Sequence, residues 1–157
     1  MKKFMAVFEE YLPAVLMLVT SMMIFIQVVI RYVFSGSIIW AEEFARYGIV
    51  WFVFLGSSLA VRENAHASVD VLVGLLPPKA KKIMEIVGLL ISIAFCIIIT
   101  WYGIGLAMRV QQMGNITPAL RIPMHIPYLA IPSGCVLMAI RYIQQLVVKI
   151  QTPFDRG

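Results

Sequence analysis

Four apolar blocks, each long enough to cross a bilayer, constrain this chain more than any motif it carries. By hydropathy they fall at about residues 12–33, 43–61, 85–107 and 127–148, and a helix needs about 20 apolar residues to span hydrocarbon. The chain has 157 residues, 61% hydrophobic and 13% charged, with a mean hydropathy of +0.90. A soluble domain is nearer a quarter charged, and a soluble core of this size could not hide all four blocks. The sequence therefore predicts an all-α integral membrane protein. It would be one membrane domain, residues 1–157, with too little material outside the bilayer for a soluble enzyme.

The net charge of +5 does not point to nucleic acid. The basic residues sit at the ends of the apolar blocks, where they meet lipid headgroups. Cys96 and Cys135 lie inside apolar blocks, with no CxxC pair or metal-ligand spacing, and read as small packing residues. Lys2-Lys3 before an apolar stretch resembles a secretory signal. Glu9 and Glu10 interrupt it, and no small-x-small cleavage site follows, so an uncleaved first span is expected.

Lysine and arginine in the flanks set the orientation. Lys2 and Lys3, then Arg62, Lys79, Lys81 and Lys82, then Lys149 and Arg156 fall in the N-terminal segment, the second connection and the C-terminal tail. The first connection, residues 35–41, has neither type, and the third has only Arg109 and Arg121. Both termini should be cytoplasmic, with the first and third connections outside. In the second connection, Ser68 can cap a short helix over residues 68–76 with Asp70 in its first turn. Val69, Leu72, Val73 and Leu76 share one face, the pattern of a helix lying in the headgroup plane. From Pro78 nothing breaks the third helix until Gly114, a length of about 50 Å against a hydrocarbon layer of about 30 Å. It should tilt strongly or protrude.

Small residues recur along the spans: Gly88, Ser92, Cys96 and Thr100 in the third, Gly56 and Ala60 in the second, Ala130 and Gly134 in the fourth. Such ridges let helices approach closely, within the chain or against a partner. All eight acidic residues fall at helix ends or in connections. A cation-coupled carrier needs an intramembrane carboxylate or paired broken helices to hold ion and substrate. This chain is therefore not expected to transport unaided.

The richest polar cluster is Arg31 at the end of span one with Trp40, Glu42, Glu43 and Arg46 entering span two. Both carboxylates are placed to reach Arg46 on one helix face, and the short connection brings Arg31 near them. A neutralised network fixing the hairpin, with Trp40 as interfacial anchor, and a partner contact are both open readings. No nucleophile or metal ligand accompanies the cluster. His66 and His125 fall on opposite sides of the bilayer, so one chain would not clamp a haem between them. Arg141 can snorkel to the cytoplasmic headgroups. The third connection carries Arg109, Gln112, Asn115 and Arg121, and is either a linker or a docking point for a periplasmic partner.

Several of these stretches recur in a known pattern. Arg31-Tyr32-Val33-Phe34, Trp40-Ala41-Glu42-Glu43 with Arg46, Trp51, Phe54-Leu55-Gly56, and Arg62-Glu63-Asn64-Ala65-His66 with Val69-Asp70 resemble the small, DctQ-type membrane subunit of tripartite ATP-independent periplasmic (TRAP) transporters. The likeness is close over the first half; beyond Pro78 it rests on the four spans and the long third helix. It implies a multi-pass protein of the bacterial inner membrane and a non-enzymatic role. A periplasmic binding protein would deliver an organic acid, of the C4-dicarboxylate or sialic acid class, to a large membrane subunit. That large subunit would hold substrate and sodium, leaving this chain without a cofactor. The small subunit would brace the large one and help dock the binding protein. Arg31, Trp40, Glu43, Arg46 and His66 carry over as structural or subunit-interface positions. Two other classes compete. A homodimeric four-helix multidrug exporter requires a carboxylate inside the first span, which is lacking here. A membrane anchor of a respiratory complex requires a haem or quinone site.

Overall fold

A computed structural model describes residues 2–62 and 78–151, with side chains from Tyr11 and from Ala80 onward in the two segments. Among these residues the fold is all-α. The helices are α1 (Lys2–Val33), α2 (Ile39–Arg62), α3 (Pro78–Gln112), the single turn α4 (His125–Tyr128) and α5 (Ala130–Gln151). Four helical stretches are long and apolar enough to cross a membrane: Tyr11–Val33, Ile39–Arg62, Ala80–Gln112 and His125–Gln151. These contain the four expected blocks and run a few residues beyond them, because apolar side chains mark only the hydrocarbon-facing part of a longer helix. The interfacial helix expected over residues 68–76, and His66, lie outside the described residues.

The 35 residues of α3 make it over-long, as expected from the unbroken stretch after Pro78. Pro13 lies inside α1 without ending it. A proline removes one backbone donor, a loss that membrane helices absorb by packing, and here its ring sits toward α2, 3.7 Å from where a Cβ on Gly56 would lie. The turn after α1 closes through the N–H groups of Phe34 and Gly36, which both donate to the Ile30 carbonyl. Ser35 takes the left-handed conformation (φ 49°) that this helix stop needs. Pro127 and Pro132 fall in α4 and the first turn of α5. A first turn accepts proline because its donors have no helical partner.

The helices form an open row in the order α1, α2, α5, α3. Helix α1 packs on α2, α2 on α5, and α5 on α3; among the described residues α1 meets neither α3 nor α5, and α2 does not meet α3. The buried cluster of Val61, Cys96, Cys135 and Tyr142, flanked by Phe54, Leu89 and Met138, lies along the seams that α5 makes with α2 and α3. The small-residue ridges divide accordingly. Ala130, Gly134 and Cys96 are spent inside the chain, whereas Gly88 faces open space and Ala60 is exposed. Because the row is one helix thick, large apolar side chains such as Phe25, Phe95 and Trp101 point outward. In a membrane such faces meet lipid or another chain.

Two polar ties hold the end of the row where α2 stops and α3 starts. Gln145 of α5 donates its side-chain amide to the Val61 carbonyl at the end of α2. Lys149 near the end of α5 pairs with Glu85 in the second turn of α3. Arg141 donates to Gln144 at 3.1 Å.

Candidate functional site

At the opposite end of the row, the start of α2 meets the connection between α3 and α4. The sequence placed Glu42 and Glu43 together on Arg46, but the structure separates them. Glu42 Oε1 accepts from Arg46 at 3.4 Å, with both side chains largely exposed. Such a pair contributes little to stability. Glu43 turns the other way. Its Oε1 accepts the Tyr47 hydroxyl at 2.8 Å, and its Oε2 accepts two backbone N–H groups, from Ala119 at 2.7 Å and from Leu120 at 2.8 Å.

Those two donors belong to an isolated helical turn. The Arg121 N–H closes it on the Thr117 carbonyl at 3.2 Å, and Pro118 occupies its first position. The N–H groups at the start of a turn have no internal partner and carry partial positive charge, so a carboxylate is their natural acceptor. Fully buried Thr117 adds two more bonds: its N–H donates to the Ile122 carbonyl at 2.9 Å, and its hydroxyl accepts the Ile122 N–H at 3.1 Å. An antiparallel bridge joins Ile116 to Pro123, and the Met124 N–H donates to the Asn115 carbonyl at 2.9 Å. Every backbone N–H from Thr117 to Ile122 thus has a partner, proline aside.

The remaining candidates lie around this clamp. Trp40 is 47% exposed in the first turn of α2. Arg31, in the last turn of α1, is exposed and forms no ion pair among the described residues, so the expected four-charge network does not close. Arg109 and Gln112 are exposed in the last turn of α3. Among the described residues the Asn115 side chain reaches only the Met113 sulfur, at 3.9 Å. Arg121 is exposed and left-handed (φ 52°). Sequence reasoning missed Tyr47, whose spacing of four residues from Glu43 was a readable signal. Thr117 was legible only as a polar residue of the third connection, and Ala119 and Leu120 were missed, because they act through backbone N–H groups that carry no local signal. Among the described residues no three His, Cys, Asp or Glu side chains converge as a metal site.

Four membrane-crossing helices in an open row, with acidic side chains at their ends and a braced connection between α3 and α4, define a helical multi-pass membrane protein. Residues 20–152 match the family model described as tripartite ATP-independent periplasmic transporters, DctQ component, and the chain belongs to that family. The match extends across both halves of the chain, well past the stretches that carried the resemblance. The chain is 31% identical to a putative TRAP transporter small permease protein of Haemophilus influenzae, over 90% of this chain and 86% of that one. It is 28% identical to the C4-dicarboxylate TRAP transporter small permease protein DctQ of Vibrio cholerae, over 87% and 68%. A sialic acid TRAP transporter permease protein, SiaT of Haemophilus influenzae, is 27% identical over 96% of this chain but only 24% of its own length. The protein is accordingly a small permease subunit of a TRAP transporter, a multi-pass inner-membrane protein and not an enzyme.

Proposed function

We propose that this chain is the bracing subunit of a sodium-coupled importer for an organic acid of the C4-dicarboxylate or sialic acid class. A large membrane subunit carries substrate and sodium, a periplasmic binding protein delivers the substrate, and this chain widens and anchors the large subunit while offering part of the docking surface. The chain itself holds no cofactor. Its termini are cytoplasmic, so the end of the row held by Glu43 faces the periplasm.

One observation carries this reading: Glu42, Glu43 and Glu85 lie near the starts of their helices, and Glu9 and Glu10 precede the apolar span of α1, so no acidic residue among those described falls in the middle of a span. A charge at that depth is costly and is kept only where ion or substrate passes. The relative SiaT supports a larger partner, since this chain matches only a quarter-length segment of a protein named as a permease. Reconstitution tests the proposal. Proteoliposomes holding this chain with a large TRAP membrane subunit from the same source, supplied with the binding protein, should take up a labelled organic acid only with an inward sodium gradient. Uptake by this chain alone, or uptake indifferent to its omission, would refute it.

A further inference from the structure

The polar tie at the end of α2 brings two arginines to one seam. Gln145 of α5 bonds to the Val61 carbonyl, which sets the last residue of α2, Arg62, level with Gln145. Arg141 lies one turn before Gln145 and two turns after Gly134, the glycine that packs on Phe54 of α2, so it falls on the α2 side of α5. Its guanidinium donates to Gln144 Oε1 at 3.1 Å, and the side chain therefore runs toward the end of the helix and the level of Arg62. Both arginines are half-buried.

Their own helices do not balance this charge. Helix α5 contains no acidic residue, and α2 has none after Glu43, which lies at its other end. Glu85 of α3 pairs with Lys149. Glu9 and Glu10 belong to α1, which packs on α2 and does not meet α5 among the described residues. Two guanidinium groups at one seam repel each other, more strongly as water is excluded, and an anion between them turns that repulsion into attraction. The donors select the anion. A guanidinium carries five N–H donors in a planar fork that matches a phosphate, so Arg141 can hold Gln144 and still present others. Because Gln144 accepts through Oε1, its amide N–H groups are left to donate to a third group. At the end of a membrane span the phosphate at hand is that of a lipid headgroup, and basic pockets between helices on the cytoplasmic side suit anionic lipids.

We propose that the mouth of the α2–α5 seam, lined by Arg62, Arg141 and Gln144, binds the phosphate of an anionic phospholipid from the cytoplasmic leaflet. The choice of leaflet rests on the cytoplasmic termini proposed above. Arg141 and Gln144 hold the phosphate oxygens, Arg62 adds charge from the α2 side, and the lipid ties α2 to α5 where Gln145 already joins them.

The test titrates phosphatidylglycerol, phosphatidylethanolamine or inorganic phosphate into the delipidated chain, alone and in complex with a large TRAP membrane subunit from the same source. Native mass spectrometry reads the bound lipid. Phosphatidylglycerol should bind about tenfold more tightly than the zwitterionic lipid. Inorganic phosphate should not displace it, and displacement at equal concentration would overturn the lipid assignment. Arg141→Gln and Arg62→Gln should each weaken phosphatidylglycerol about tenfold. Gln144→Ala, at an exposed position that guards against misfolding, should weaken it about threefold. Lys81→Gln, an exposed cation at the start of α3, should bind as the native chain does. Native affinity in both arginine variants, or an equal loss at Lys81, would overturn the site. So would exclusion of the lipid by the large subunit, which would put a protein group in the seam. Labelling of Gln151→Cys by an impermeant maleimide from the periplasmic side would overturn the orientation and the leaflet, while the titration in detergent still decides the phosphate contact.

Discussion

One carboxylate oxygen of Glu43, in the second turn of α2, accepts the backbone N–H of Leu120 at 2.8 Å, although 77 positions of sequence separate the two residues. With the matching bond from Ala119, it ties the connection between α3 and α4 to the head of the α1–α2 hairpin. That connection is therefore a held structure and not slack chain.

Removing that acceptor should loosen the turn. Glu43→Ala leaves two N–H groups without their partner, and trypsin should then cleave after Arg121 roughly tenfold faster than in the native protein. Glu43→Gln, which keeps one acceptor oxygen but loses the charge, should fall between the two. Limited proteolysis in detergent reads the difference. Equal rates for all three proteins would mean that the turn is held by Thr117 alone.

The α1–α2 seam closes at Thr20 and Gly48. A Cβ on Gly48 would lie 2.5 Å from Thr20 Oγ1, and Thr20 is itself buried, with no hydrogen-bond partner for that hydroxyl among the described residues. Gly48→Ala should cost about 1–3 kcal/mol by overpacking. Adding Thr20→Ala should return most of it, because the crowding atom and an unsatisfied hydroxyl leave together. A double-mutant cycle on thermal unfolding decides this, and additive effects would count against the contact.

Two other glycines should respond in opposite directions. At Gly134 an added Cβ would come within 2.6 Å of Phe54 Cβ and 2.7 Å of its carbonyl oxygen, on an α2 backbone that cannot yield cheaply. Gly134→Ala should destabilise by about 1–3 kcal/mol. Gly105 of α3 has nothing within 4 Å of such an atom, so Gly105→Ala should be neutral or stabilising by about 0.5–1 kcal/mol. Unfolding curves for the pair in one detergent make the comparison, and a loss at Gly105 matching that at Gly134 would contradict the order of the row.

Cys96 and Cys135 are both free and lie 2% and 1% exposed in the α5 seams. A bulky maleimide should leave both unlabelled in intact membranes and modify both once SDS separates the helices. Rapid labelling of either in the native protein would place it on an outer face.

Hydropathy made the four helices legible, because membrane crossing is a local property of about 20 consecutive residues. The long α3 was legible for the same reason, since no proline or glycine pair interrupts it before Gly114. The order of the row was not, because the small-residue ridges of α2, α3 and α5 say that something packs closely without saying what. Glu43 shows the limit most clearly. Its charge drew attention to Arg46 four residues or fewer away, while its stronger partners are backbone N–H groups that no side chain announces. Arg121 was legible as a polar loop residue, and its left-handed backbone was not.

The central claim is that these helices brace a partner that does the transport. Its most direct measurement is the mass of the complex extracted in mild detergent after co-expression with a large TRAP membrane subunit from the same source. A stable assembly containing one small subunit per large subunit is expected. A small chain that elutes only by itself or as a homodimer, with the large protein fully active in its absence, would contradict it.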